Sequence, residues 1–346
     1  MALTSLTNIF KELTKVKISQ FLLFLSLWLF SLAPLPAVGF RRYKIYQAYI
    51  MLWCCEIIWT SYLAFVWDIF GDEHSLNGFI NIVVYFTHML GHFAVLAESW
   101  LIIAVRDELI KKFREIRQRL YTELKNPLLR SDAKTRVNDV IAGVFIILLC
   151  GHGIIIWSMF MISSSAKSLH WYSLFSYLAM EFKTLEFLTG LVQINHFIMA
   201  IRQSINDMGE RNLKRVFKLV DLKNANEIIY VTSFKQEEED EILLKKLKGF
   251  YYEVYALLKE YNEAYSLSLL ASTAVYFVDF VCNSYWILLA VLSQDRNYFM
   301  LLQNSLFVLM AFSLLSLICW FSEECSYEVK ILPLFVINFF KIFLFL

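Results

Sequence analysis

Residues 297–322 read NYFMLLQNSLFVLMAFSLLSLICWFS, with no Asp, Glu, Lys or Arg in 26 positions. The hydrocarbon core of a bilayer is about 30 Å thick, and ~20 apolar residues in helix cross it. A charge-free stretch of this length reads as a membrane span. Residues 140–166 repeat the pattern. Working outward, comparable runs lie near 45–70, 77–104, 137–162, 168–200, 265–292 and 298–322. Composition agrees: 58% of the chain is apolar, 17% aromatic and only 18% charged, against about a quarter charged in a soluble domain. Too little polar surface is available to coat a soluble enzyme, and a net charge of +1 gives no footprint for nucleic acid. The expected fold is all-α: a polytopic membrane helical bundle of six firm spans plus a short degenerate C-terminal seventh.

The basic residues set the expected orientation. Lys and Arg number six in 1–44, ten in 105–136 and eleven in 201–264, but zero, one and one in the alternate loops 71–76, 163–169 and 293–297. The positive-inside rule places the amino terminus and both long loops in the cytoplasm. The layout is a cytoplasmic 1–44 with an interfacial or re-entrant helix at 19–33, a six-span bundle at 45–322 containing a cytoplasmic helical loop at 201–264, and an atypical segment at 323–346. A cleaved signal peptide or a further span are the alternatives at 19–33. Within the loop, Leu244, Leu247, Tyr251, Val254, Leu258, Asn262 and Tyr265 recur at three- and four-residue steps. That is the stripe of an amphipathic helix, entering the span at 265–292 without a break. It covers either its own bundle or a neighbouring subunit. Pro333 removes a backbone donor and is expected to disturb helix at Leu332. None of the six cysteines lies on a long hydrophilic loop, so they are read as packing residues.

Several landmarks resemble the insect gustatory receptor family, seven-helix ligand-gated cation channels. Leu32-Ala33-Pro34 forms a proline turn before the first firm span; Leu191 to Phe197 (LVQINHF) is similar to that family's fourth-span ending; Arg202 to Asn206 follows; and Tyr251 to Leu270 resembles its helix entering the fifth span. The resemblance runs from about residue 20 to 330. The departure is at the seventh helix, where the family's Thr-Tyr, five apolar residues and Gln-Phe have no counterpart after Cys325 to Lys330. The resemblance implies a plasma-membrane taste receptor, a ligand-gated non-selective cation channel subunit that assembles as a homo- or hetero-tetramer among membrane lipid and senses a small-molecule tastant. It implies no enzymatic activity and no cofactor. A truncated non-conducting receptor product and an unrelated multi-pass transporter are the alternatives.

Polar groups inside a membrane are costly and therefore functional candidates. Asn81, Tyr85, His88 and His92 share one face of the second span. Asp279, Cys282, Asn283 and Trp286 share one face of the fifth. His152 and Trp157 in the third span, with Tyr177 in the fourth, suit an aromatic cage, and Glu181 is a freer carboxylate than Glu186, which Lys183 can reach three residues away. Glu98 is expected to pair with Arg106. The ligand-binding set is Tyr85, His88, His92, Trp157, Tyr177, Glu181, Asp279 and Trp286, against the alternative that these groups bond helix to helix. His88 and His92 have the spacing for zinc but no third ligand, so no metal is expected. No catalytic constellation or phosphate loop is present in the sequence.

Overall fold

A computed structural model describes residues 25–27, 29–30, 32, 41–66, 76–124, 132–161, 167–221, 228–292 and 298–345. Eight helices lie among them: α1 Arg41–Val66, α2 Leu76–Leu101, α3 Ile103–Leu124, α4 Asp132–Met161, α5 Lys167–Asp221, α6 Ile228–Ala264, α7 Ser266–Leu292 and α8 Tyr298–Phe345. By length and hydropathy four of the described stretches can cross a membrane: Leu76–Leu101, Ser173–Arg211, Ser266–Leu292 and Tyr298–Tyr327; the apolar stretch Gly143–Ser158 lies within α4. The six-span reading is thus supported at four places.

The chain divides into two compact units. The first takes Met1–Arg106, Asn138–Thr189 and Ala264–Cys319. In it α2 packs along α7. At Gly91 the helices come so close that an added Cβ would collide with Met180 Sδ and Val275 Cγ2, so the hydrogen side chain is what admits α5 and α7. The outward faces carry large apolar side chains, among them Leu270, Phe277, Leu288 and Leu309, as a lipid-facing surface requires. Most of the segment 19–33 lies outside the described residues. Of those described, Leu27, Phe30 and Leu32 are buried. The Leu29 carbonyl accepts from Tyr49 Oη at 2.9 Å and Trp53 Nε1 at 3.1 Å, and the Leu32 carbonyl accepts from Arg106.

α7 begins where a side chain enters the backbone ladder. Ser268 N–H donates to Glu98 Oε1 at 2.8 Å, and the Ser268 hydroxyl donates to Glu98 Oε2. A carboxylate at a helix start satisfies an orphan donor and favours the positive end of the dipole. The expected continuous passage from loop helix to span is therefore interrupted at Tyr265. The partner expected for Glu98 also changes: Arg106 pairs with Glu186, and Ser268 engages Glu98.

The second unit takes Asp107–Val137, Gly190–Glu263 and Trp320–Leu346. Its seam runs along α6 through Leu244, Leu247, Phe250, Val254, Leu257 and Tyr261, all buried. The steps of three and four repeat every seven residues, as in coiled coils. The stripe expected from sequence leaves this seam at Tyr251, which is half-buried beside the buried Phe250, and again after Val254, where Leu258 is half-buried and Asn262 exposed. It is covered by the chain's own helices. Phe113 of α3 meets the Tyr261 ring edge-on at 5.8 Å, and Tyr261 in turn lies where any side chain at Gly190 would stand. Flanking it, Lys112 reaches both Glu260 oxygens at 2.9 and 2.7 Å and Arg119 both Glu253 oxygens at 2.8 Å. These hydrogen bonds raise the pKa of both bases, so the pairs remain charged.

α8 is one helix of 48 residues, about 72 Å long at the α-helical rise. The separate short seventh segment expected at 331–346 is instead its continuation, through Pro333 to Phe345. Proline at 333 cannot donate to the carbonyl four residues back, that of Val329. The Tyr251 hydroxyl donates to this carbonyl at 3.0 Å, replacing the missing bond. Burial, followed by the neighbouring Tyr255 and Tyr252, raises the Tyr251 pKa above its usual value, so the phenol stays a donor. Tyr251→Phe is expected to destabilise by about 1–2 kcal/mol, the cost of a stranded carbonyl. In a Pro333→Ala background, where the backbone donor returns, it is expected to be nearly silent. Thermal unfolding of the four proteins in this cycle measures the coupling; equal effects in both backgrounds would refute it.

Candidate functional site

Tyr177 is the centre of the first unit's polar interior. Four side chains from other helices pack on its ring: His88 of α2 at 5.3 Å between centroids, His152 of α4 at 6.0 Å, Tyr276 of α7 at 6.0 Å and Phe307 of α8 at 5.6 Å. Tyr177 and Tyr276 are fully buried. Periodicity puts the partners in place. Tyr276 and Asp279 are three apart on α7, and Tyr177, Glu181 and Thr184 follow one face of α5.

Two acid–imidazole pairs flank the ring. His88 Nε2 lies 2.8 Å from Asp279 Oδ1, and His152 Nε2 lies 2.5 Å from Glu181 Oε2. Both carboxylates are buried and close enough to act on each other and on the hydroxyls of Tyr177 and Tyr276. Thr184 Oγ1 and Tyr276 Oη share a hydrogen bond of 2.9 Å. Many polar atoms around this centre have no hydrogen-bond partner among the described residues: Nδ1 of His88 and His152, Tyr177 Oη, Glu181 Oε1 and Asp279 Oδ2, with both amide atoms of Gln303 and Nδ2 of Asn304 on α8. Buried groups left unmet cost about 1–3 kcal/mol each, and native interiors tolerate few of them.

Toward the start of α7 lies a second, fully engaged network. Glu186 takes Arg106, Lys183 at 3.2 Å and the Tyr265 hydroxyl at 2.9 Å, while Lys183 also stands 4.5 Å over the Tyr265 ring. The Lys183–Glu186 pair is the one the sequence spacing predicts.

Of the eight residues proposed from sequence, His88, Tyr177, Glu181 and Asp279 come together here. The other four lie elsewhere. Tyr85 bonds Ser61 of α1 at 3.4 Å. His92 meets Ser176 Oγ at 3.1 Å and packs against Trp53. Since the Ser176 hydroxyl reaches Met89 Sδ, His92 Nδ1–H donates to Ser176. Trp157 is half exposed with its ring against Phe299, and Trp286 is partly exposed beside Tyr285. Neither tryptophan joins the cage around Tyr177. Sequence reasoning left out Tyr276, Thr184 and Phe307, and read Gln303 and Asn304 as groups that touch either a ligand or water. Tyr276 was findable one turn before Asp279.

The model of the 7tm chemosensory receptor family matches residues 20–340. The chain belongs to that family: it is a chemosensory receptor with membrane-spanning helices. No curated protein matches it.

Proposed function

We propose that this receptor detects a small molecule in the interior formed by α2, α4, α5, α7 and α8, and that the ligand gates a non-selective cation channel in the plasma membrane. The observation that carries the reading is the ring of unmet buried polar atoms around Tyr177. A ligand supplying their missing hydrogen bonds changes the relative stability of closed and open packings, and only such differential binding shifts a conformational equilibrium. The ligand is a tastant, the assembly a tetramer of this subunit or of related ones, and the amino terminus cytoplasmic, in keeping with the lysine and arginine bias.

The test is calcium entry or whole-cell current in cells expressing the receptor and challenged with a panel of small molecules. Tyr177→Ala is expected to shift the dose–response curve at least about tenfold, the effect of ~1.4 kcal/mol of lost contact. Trp157→Ala, whose ring faces Phe299, is expected to leave it in place. A Tyr177→Ala receptor with an unshifted curve would reject the site. An amino-terminal epitope is expected to stain only after permeabilisation; staining of intact cells would overturn the orientation.

One observation favours a second reading for the pore. The segment that would form a separate seventh helix runs on as part of α8 and carries no Thr-Tyr…Gln-Phe pattern. On that reading the chain senses ligand but conducts only beside a related subunit. Currents that appear on co-expression and are absent from cells expressing this chain alone support it.

A further inference from the structure

We propose that the site around Tyr177 takes an organic cation, a protonated amine carried on an apolar body. This deepens the reading of the cluster as a ligand site and rests on it.

The argument is an account of spare valences. Each imidazole Nε2–H donates to one carboxylate oxygen, at 2.8 Å for His88–Asp279 and 2.5 Å for His152–Glu181. With the proton on Nε2, each neutral imidazole presents a bare lone pair at Nδ1. The unmet acceptors are then His88 Nδ1, His152 Nδ1, Asp279 Oδ2 and Glu181 Oε1, together at the heart of the site. Tyr177 Oη, able to give or receive, and on α8 the Gln303 amide and the Asn304 Nδ2 donor complete the unmet groups. Gln303 is 1% exposed and sits one turn from Phe307, on the α8 face that meets Tyr177. Around the two acid–imidazole pairs, what is lacking is donors.

The charge count points the same way. With neutral imidazoles the two carboxylates leave the cluster at −2; with both imidazoles protonated it is neutral. With both carboxylates ionised it is never positive. The nearby cations are engaged elsewhere, since Lys183 and Arg106 both bind Glu186. A carboxylate or phosphate ligand would lose its hydration and meet like charge. An ammonium group meets two bare carboxylate oxygens and the faces of Tyr177, Tyr276 and Phe307, the surroundings that stabilise a desolvated cation. A polyol satisfies the acceptors but gains nothing from the charge.

Three probes on one scaffold separate these cases: phenethylamine, 2-phenylethanol and phenylacetate, titrated onto the purified full-length receptor in phosphatidylcholine nanodiscs. The amine is expected to bind at least about tenfold more tightly than the alcohol, and phenylacetate most weakly. Asp279→Asn and Glu181→Gln are each expected to weaken the amine about 30-fold, as loss of a desolvated charge partner does, and to weaken the alcohol far less. Either variant suffices if the other fails to fold. Alcohol binding as tight as amine binding, or amine affinity indifferent to both variants, overturns the cation proposal. If Tyr177→Ala still abolishes binding in that case, the ligand site itself stands. No response to any probe, or responses that survive Tyr177→Ala, overturns the site as well.

Discussion

Glu186→Ala is expected to be among the most damaging single substitutions in the first unit, destabilising it by about 3–5 kcal/mol, the scale for stranding a buried charge. Glu186 is the anion shared by Arg106 and Lys183 and the acceptor for the Tyr265 hydroxyl. Arg106 is 7% and Lys183 1% exposed, so neither cation can turn to water when the carboxylate goes. Arg106 also holds the Leu32 carbonyl, so the loss reaches the segment before α1. Lys183→Met is expected to rescue part of the loss by removing one stranded cation. Glu186→Gln, which keeps the shape but not the charge, should fall between. The surface pair Lys112–Glu260, with both side chains more than a third exposed, is the control: Lys112→Ala is expected to cost under about 1 kcal/mol. Unfolding of detergent-solubilised receptor, followed by tryptophan fluorescence against temperature, ranks the four. A Glu186→Ala protein as stable as Lys112→Ala would show that the network holds nothing together.

The second large effect is steric. Gly91→Val is expected to destabilise by about 2–3 kcal/mol, the upper part of the range for overpacking a filled interior. Even a Cβ collides there with Met180 Sδ on α5 and Val275 Cγ2 on α7. Methionine is flexible and its sulfur can withdraw, whereas the stiff β-branched valine cannot. Met180→Ala is therefore expected to rescue Gly91→Ala largely but Gly91→Val only in part. Gly143, where an added Cβ would meet nothing within 4 Å among the described residues, supplies the contrast: Gly143→Ala is expected to be neutral or slightly stabilising, since glycine is a poor helix former. The same thermal unfolding assay applies, and a Gly91→Val protein indistinguishable from Gly143→Ala would contradict the close packing.

What the sequence discloses depends on how locally the physics acts. The charge-free run at 297–322 needs no partner to be read as a span, and the helix is there. Lys183 and Glu186 are three apart, and they pair. The α6 seam was readable only to within one residue. Phe250-Tyr251, Leu257-Leu258 and Tyr261-Asn262 each offer two neighbours, and repeats of 3.5 and 3.6 diverge over that distance. Packing on α3 selects the 3.5-residue seam. Long-range partners were out of reach. His88 and Asp279 are 191 positions apart, and Glu98 and Ser268 are 170 apart. Each residue could be suspected, but the pairing required the fold. Trp157 and Trp286 show the opposite limit, since an aromatic residue on an apolar helix reads alike whether it turns to lipid or to the interior. The course of α8 was misjudged for the same reason as the distant pairs: the donor that carries the helix past Pro333 lies 78 positions before Val329.

The Tyr251 contact also limits the order in which this chain can vary over generations. A proline at 333 is tolerable where a hydroxyl already waits at 251, so the tyrosine must precede the proline. The reverse order passes through a form with a stranded carbonyl. Once the proline is in place, phenylalanine at position 251 costs about 1–2 kcal/mol, although it would fit the same space. Were the proline to revert, position 251 would be free to drift. The two positions therefore form a ratchet, and a related receptor with Pro333 but no hydroxyl at 251 would need a substitute donor at the Val329 carbonyl.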